Sequence, residues 1–136
     1  MSQTSPEQNK AVILDVLAKA FGPQDFTALD RYVHPDYIQH NPTIPPLKAG
    51  LRAFAGSLPA TTRYEPGAVL AEGDLVMAHG RYSGATETPL LAVDIFRFED
   101  GLVVEHWDVV QEEVPVEKTV AGHPMFTNPQ SGTANR

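Results

Sequence analysis

The sequence contains no cysteine. That excludes a disulfide framework and every thiolate metal site, and it fits a chain working in a reducing, cytoplasmic setting. Basic residues are scarce and nowhere clustered: 10 Lys and Arg stand against 17 Asp and Glu, for a formal net charge of −7. Nucleic acid binding would lack its electrostatic footprint, so no nucleic-acid partner is expected. No apolar run approaches the length of a membrane-spanning helix, and the polar start MSQTSPEQNK lacks the apolar stretch of a secretory leader. A membrane partner is therefore not expected either. Internal repeats and linkers are also missing. What remains is 136 residues, 42% of them hydrophobic, which suits one domain with a real core.

Hydrophobic spacing divides the chain into a helical half and a stranded half. Ser5-Pro6-Glu7-Gln8 predicts a helix start, with Ser5 as N-cap and proline at the first helical position. Val12, Ile13, Val16, Leu17 and Ala20 continue it at helical period, and Gly22-Pro23 ends it. A second, short helix is predicted from about Phe26 to Val33, and a third from about Ala49 to Leu58. Between them Asp36 to Pro42 reads as a short extended or 3₁₀ piece rich in polar rings and amides. From Thr61 the period moves towards two. Strands are predicted over Arg63–Ala71, where Pro66-Gly67 marks an edge or a bulge, then over Leu75–Ser83 and Pro89–Phe98, followed by a hairpin partner reaching Gln111. In Leu75–Ser83, His79 and Arg81 share one face and Val76, Ala78 and Tyr82 the other. The expected fold class is α+β: three N-terminal helices packed in a curved antiparallel sheet, forming a cone with one open mouth. The domain is expected to have its core over about residues 6–126, with 127–136 as a flexible tail.

The hairpin from Ala92 to Gln111 concentrates the ionisable residues among residues that favour burial. Its register decides their direction, because a one-residue slip moves every side chain to the other face. A two-residue turn at Asp100-Gly101 sets Asp94 opposite Trp107; a three-residue turn at Glu99-Asp100-Gly101 sets Asp94 opposite His106. The three-residue turn is the preferred reading. It places Asp94, Phe96, Phe98, Val104, His106, Asp108 and Val110 on one face, and Val93, Ile95, Arg97, Val103, Glu105, Trp107 and Val109 on the other. The first face is then an aromatic-walled surface with two acids and an imidazole. Trp107 falls outside it, as a core or interface anchor.

Four segments together resemble a known family. YIQHNP after the second helix, and GDLVMAHGRYSG, VDIFRFEDG and VEHWDVVQ in the strands, are similar to the SnoaL-like branch of the nuclear transport factor 2-like superfamily over roughly residues 6–126. The nearest likeness is to bacterial SnoaL-like proteins described as aldol-condensation enzymes. The resemblance implies an α+β cone, a small-molecule substrate, no cofactor, no metal, and a homodimer formed through the outer sheet face. It also implies roles. Asp108 falls where SnoaL-like polyketide cyclases carry an acid/base aspartate on the last long strand. Asp94 in VDIFRF falls where ketosteroid isomerase has an aspartate that donates to an oxyanion. The isomerase's base aspartate corresponds to Asn41, beside His40. Limonene-type epoxide hydrolases combine two acids with an arginine; Asp94 and Asp108 are available as the acids, but the arginine position holds Ala92, leaving Arg81 as a substitute.

The candidate catalytic residues are therefore Asp108, Asp94 and His40, and the candidate substrate-binding residues are His106, Asn41, His79 and Phe96. The chemistry expected is proton transfer alpha to a carbonyl of a mostly apolar compound, ending in aldol-type cyclisation or isomerisation. Two other readings stay open: water addition to an epoxide, which needs a cation beside the acids, and a non-catalytic ligand-binding dimer, in which the acids would be ion-paired or solvated. The histidines and acids match no tight metal-binding spacing such as HExxH, and no metal is expected.

Overall fold

The computed structural model describes residues 3–129. Helix α1 spans Pro6–Ala20 and is closed at its start by a capping box: Ser5 Oγ accepts from Gln8 N–H, and the Gln8 side chain accepts from Ser5 N–H. Helices α2, Thr27–Tyr32, and α3, Leu47–Ser57, follow, with strand β1, Val33–Gln39, between them. Four more strands complete the chain: β2 Arg63–Glu72, β3 Leu75–Ser83, β4 Leu90–Glu99 and β5 Leu102–Glu112; a 3₁₀ turn at Val116–Lys118 comes last. They form one curved, unclosed sheet in the order β1-β5-β4-β3-β2. The α+β cone predicted from the sequence is the fold observed.

The concave face of the sheet takes the helices. Ile13, Leu17 and Ala20 of α1 and Leu29 of α2 are buried against Tyr37, Val76, Ala78, Phe96, Phe98 and Val103. Alternation along β3 sends Val76, Ala78 and Tyr82 inward and leaves Met77, His79 and Arg81 on the convex face. As Pro66-Gly67 indicated, β2 is an edge strand with a bulge, between Pro66 and Val69.

Two expectations are corrected. First, the segment after the second helix is a seven-residue strand that begins at Val33, and it pairs parallel with β5, so the sheet has five strands and is not purely antiparallel. Periodicity could not find this strand because its partner lies some seventy residues away and Pro35 interrupts it. Second, the hairpin turn has two residues. Asp100 and Gly101 both have positive φ, 51° and 80°, and Glu99 pairs with Leu102; this is the primed turn whose twist suits a tight hairpin. The face prediction nevertheless holds for Asp94, His106 and Asp108, because a bulge follows. Phe98 pairs with Val103 while Arg97 pairs with Glu105, so Val104 is an extra residue on β5. Val103 is thereby the buried one, at 2% exposure, and Val104 leaves the inner face on which the three-residue turn had placed it. Beyond the bulge Phe96 faces His106 and Asp94 faces Asp108. The C-terminal residues 127–129 are exposed; the rest of the expected tail lies outside the described residues.

Candidate active site

The cone encloses a cavity of about 620 Å³. Its floor is apolar, made by Ile13, Leu17, Leu29 and Val103, and its rim carries Pro42, Thr43, Thr86 and Val110. This size suits a drug-sized metabolite. Among the described residues no Lys or Arg lines it, so its charged or ionisable lining there consists of Asp94, Asp108, His106 and the phenols of Tyr37 and Tyr82.

These groups converge because three strands deliver them at neighbouring register positions. Asp94 on β4 faces Asp108 on β5, and Gln39 on β1 is the parallel partner of His106 on β5. His106 Nε2 lies 2.8 Å from Asp94 Oδ1 and 3.8 Å from Asp108 Oδ2. Tyr82 donates its hydroxyl proton to Asp94 Oδ2 at 2.8 Å. Burial, and then the neighbouring Asp94 charge, push the Tyr82 phenol well above its ordinary pKa, so it remains a donor. The Asn41 amide donates to both oxygens of Asp108, at 2.9 and 2.7 Å. Its orientation is fixed from behind, since Thr43 N–H and Thr43 hydroxyl both donate to Asn41 Oδ1 at 2.8 Å. Phe96 stands against the imidazole, with ring centroids 4.9 Å apart.

Asp94 and His106 are buried, at 4% and 6% exposure, and neither acid is paired with a Lys or Arg among the described residues. Burial of carboxyl groups on an apolar wall is costly unless each is hydrogen-bonded, and here Tyr82, His106 and Asn41 supply those bonds. Asp94, His106 and Asp108 each offer one donor atom within 4.8 Å of the others, a set that a divalent cation could use. In this arrangement the His106 Nε2 direction is taken by Asp94.

The structure brings together five of the seven residues singled out from the sequence: Asp94, His106, Asp108, Asn41 and Phe96. His40 and His79 lie elsewhere. His40 follows Gln39 in an alternating segment, so it projects to the convex face. There its ring stacks on Trp107 at 5.1 Å and 3°, and Nε2 lies 2.7 Å from Glu105 Oε2. The bond from His40, and then that from Arg97, hold the Glu105 carboxyl below its usual range. His79 alternates outward with Arg81 and meets the ring of Phe126 at 5.3 Å. Arg81 binds Glu113 Oε1 at 2.8 Å on that same outer side, and Ala92 lines the cavity where a hydrolase would need its arginine. Among the described residues no Lys or Arg thus stands beside the acids for water addition to an epoxide.

Sequence reasoning missed Tyr37, Gln39 and Tyr82. Tyr37, Gln39 and Asn41 alternate with Ile38 and His40 in the segment read as a short extended or 3₁₀ piece, but nothing local told which of the two sets faces inward. Burial, chiefly, raises Tyr37 to about 12.

The sequence profile of the SnoaL-like domain family matches residues 14–106 of the chain. No curated protein sequence matches. Solved structures share the fold at low identity. TsrD from Streptomyces laurentii is 22% identical with a TM-score of 0.66, over 79% of this chain and 91% of its own. A provisionally assigned ketosteroid isomerase from Kribbella flavida is 17% identical with a TM-score of 0.70, over 84% and 85%. A provisionally assigned SnoaL-like polyketide cyclase from Jannaschia sp. is 20% identical with a TM-score of 0.65, over 81% and 91%.

Proposed function

The chain belongs to the SnoaL-like domain family, and on that premise we propose that it is a small, cofactor-independent acid–base enzyme acting on an uncharged, mostly apolar carbonyl compound. The observation that carries the reading is Asp108: a carboxylate held by the Asn41 amide, facing an apolar cavity, with no Lys or Arg in the lining among the described residues. Such a group can take a proton from carbon because no cation competes for its lone pairs. Beside it, Asp94 and His106 share a proton that can be given to a developing oxyanion.

In an aldol-type cyclisation Asp108 removes the proton alpha to one carbonyl. The enolate carbon bonds to a second carbonyl of the same substrate, and the new alkoxide takes the proton held between Asp94 and His106. Asp108 then gives the proton it took to solvent and the Asp94–His106 pair takes one back from solvent, which restores the starting state with no net gain or loss. In an isomerisation the enolate is reprotonated at a different carbon. A non-catalytic ligand-binding module is the second reading, and it predicts no exchange with any compound of the panel below.

The test is exchange of alpha protons in D₂O, followed by proton NMR across a panel of apolar diketones and β-keto esters. The wild-type chain accelerates exchange for at least one class. Asp108→Asn lowers that rate by about 10²–10⁴-fold, the usual worth of a positioned acid or base, without changing the far-UV spectrum. Exchange that persists in Asp108→Asn removes this assignment.

We further propose that the convex sheet face pairs with a second copy. Ile38 on β1, Leu75 and Met77 on β3 and Val109 on β5 are 41–71% exposed on that face, which also carries Trp107.

A further inference from the structure

We infer that Gln39 is a positioning residue that sets the tautomer of His106, and so determines that one mobile proton lies between His106 and Asp94. The inference deepens the reading of Asp94, His106 and Asp108 as a proton-transfer site and rests on it.

The chain of reasoning begins at a backbone amide, which can only donate. Asn41 N–H points at the Gln39 side chain, and the contacted atom, 2.8 Å away, must therefore be the carbonyl oxygen Oε1. This fixes the amide, whose Nε2 is left to donate to the Tyr37 hydroxyl. The same Oε1 lies 2.7 Å from His106 Nδ1. An oxygen with no proton of its own can only accept, so Nδ1 carries a hydrogen. When His106 is neutral its Nε2 is then bare, and the 2.8 Å contact with Asp94 Oδ1 holds a proton that belongs to the carboxyl; when His106 is charged the same proton sits on nitrogen. Either way one proton occupies that contact. Without the Gln39 acceptor the imidazole could place its single hydrogen on Nε2 and lock it against an ionised Asp94, leaving nothing to release.

Four of the five strands supply the titratable and polar groups of the network around His106. These are Tyr37 and Gln39 from β1, Asp94 from β4, Tyr82 from β3 through Asp94, and Asp108 from β5. Gln39 does not line the cavity, so it acts through His106 and not on substrate.

The test is nitrogen NMR on histidine-labelled protein. The chain has five histidines, and the signal lost in His106→Gln identifies the one of interest. In the wild type Nδ1 stays protonated from about pH 5 to about pH 9, a window that spans ordinary imidazole titration. Gln39→Met keeps the length of the side chain but removes the acceptor, and there the hydrogen moves to Nε2 as His106 becomes neutral. Gln39→Glu restores an acceptor, and Nδ1 is protonated again. Exchange activity falls about tenfold or more in the Met variant, the order of one hydrogen bond to a charged group, and recovers in the Glu variant. A wild-type His106 with bare Nδ1 anywhere in that window overturns the inference even if no variant folds, and so does a Met variant whose Nδ1 stays protonated like the wild type. The two readings fail separately: exchange that survives Asp108→Asn removes the enzymatic proposal and leaves the tautomer result standing, whereas a contrary tautomer beside an inactive Asp108→Asn removes only the role of Gln39.

Discussion

Asp108 and Asp94 are both aspartates on facing strand positions, yet their partners differ in kind. Asp108 receives only neutral N–H donors from Asn41, while Asp94 receives a phenol and an imidazole. The difference separates a group suited to accept a proton from one suited to hold it for release. The buried phenols around them make a prediction of their own. Tyr37 is raised to about 12 in the folded chain, whereas an unfolded tyrosine titrates near about 10. Between those values the unfolded state gives up its proton first and binds fewer protons than the native state, so stability falls as pH rises. Tyr64 and Tyr82 are shifted in the same direction, chiefly by burial. Urea midpoints should hold up to about pH 9 and then drop through pH 10 to 12, by roughly 1.4 kcal/mol per unit for each tyrosine still protonated in the fold. Tyr37→Phe should be less stable at neutral pH but lose less on going alkaline.

At the scale of elements, the β4–β5 hairpin contributes most to the site, and it combines two irregularities. The two-residue turn alone would have faced Asp94 with Trp107; the extra residue at Val104 rotates the remainder of β5 so that His106 and Asp108 point inward. The turn itself depends on Gly101, whose φ of 80° is unfavourable for any side chain. Gly101→Ala should destabilise the chain by about 1–2 kcal/mol in denaturant titrations. It should leave the alpha-proton exchange rate of the folded fraction nearly unchanged, because the bulge and not the turn aims the site. β1 is the other element that decides geometry. As a parallel partner of β5 it brings Gln39 to His106 and, one residue later, turns His40 out to Trp107.

For the molecule as a whole, the concave and convex faces of one sheet have different tasks. The concave face carries the candidate site and packs against the helices. The convex face carries Ile38, Met77 and Val109 in the open, the last at 71% exposure, and is partly crossed by the C-terminal segment, whose Phe126 ring rests beside His79 and over the side-chain-free notch at Gly67. If that face joins two copies, Val109→Lys should shift the mass measured by light scattering from dimer to monomer at micromolar concentration while the far-UV spectrum stays native. A wild type that is already monomeric under those conditions would refute the pairing.

Local chemistry was sufficient for much of this. Ser5, Pro6 and Gln8 specify the start of α1, the alternation along β3 separates Val76, Ala78 and Tyr82 from His79 and Arg81, and Pro66-Gly67 marks the bulged edge; each rests on neighbours a few residues apart. The segments around Asp94 and Asp108 also disclosed the family. The parts that sequence could not determine depend on pairing between distant segments. The parallel union of β1 with β5, the extra residue at Val104, and hence the outward positions of His40 and His79 and the inward one of Gln39, exist only once strands far apart in the chain share hydrogen bonds. A side chain's direction on a strand is set by parity, and parity is settled by the partner's register, which no local pattern records.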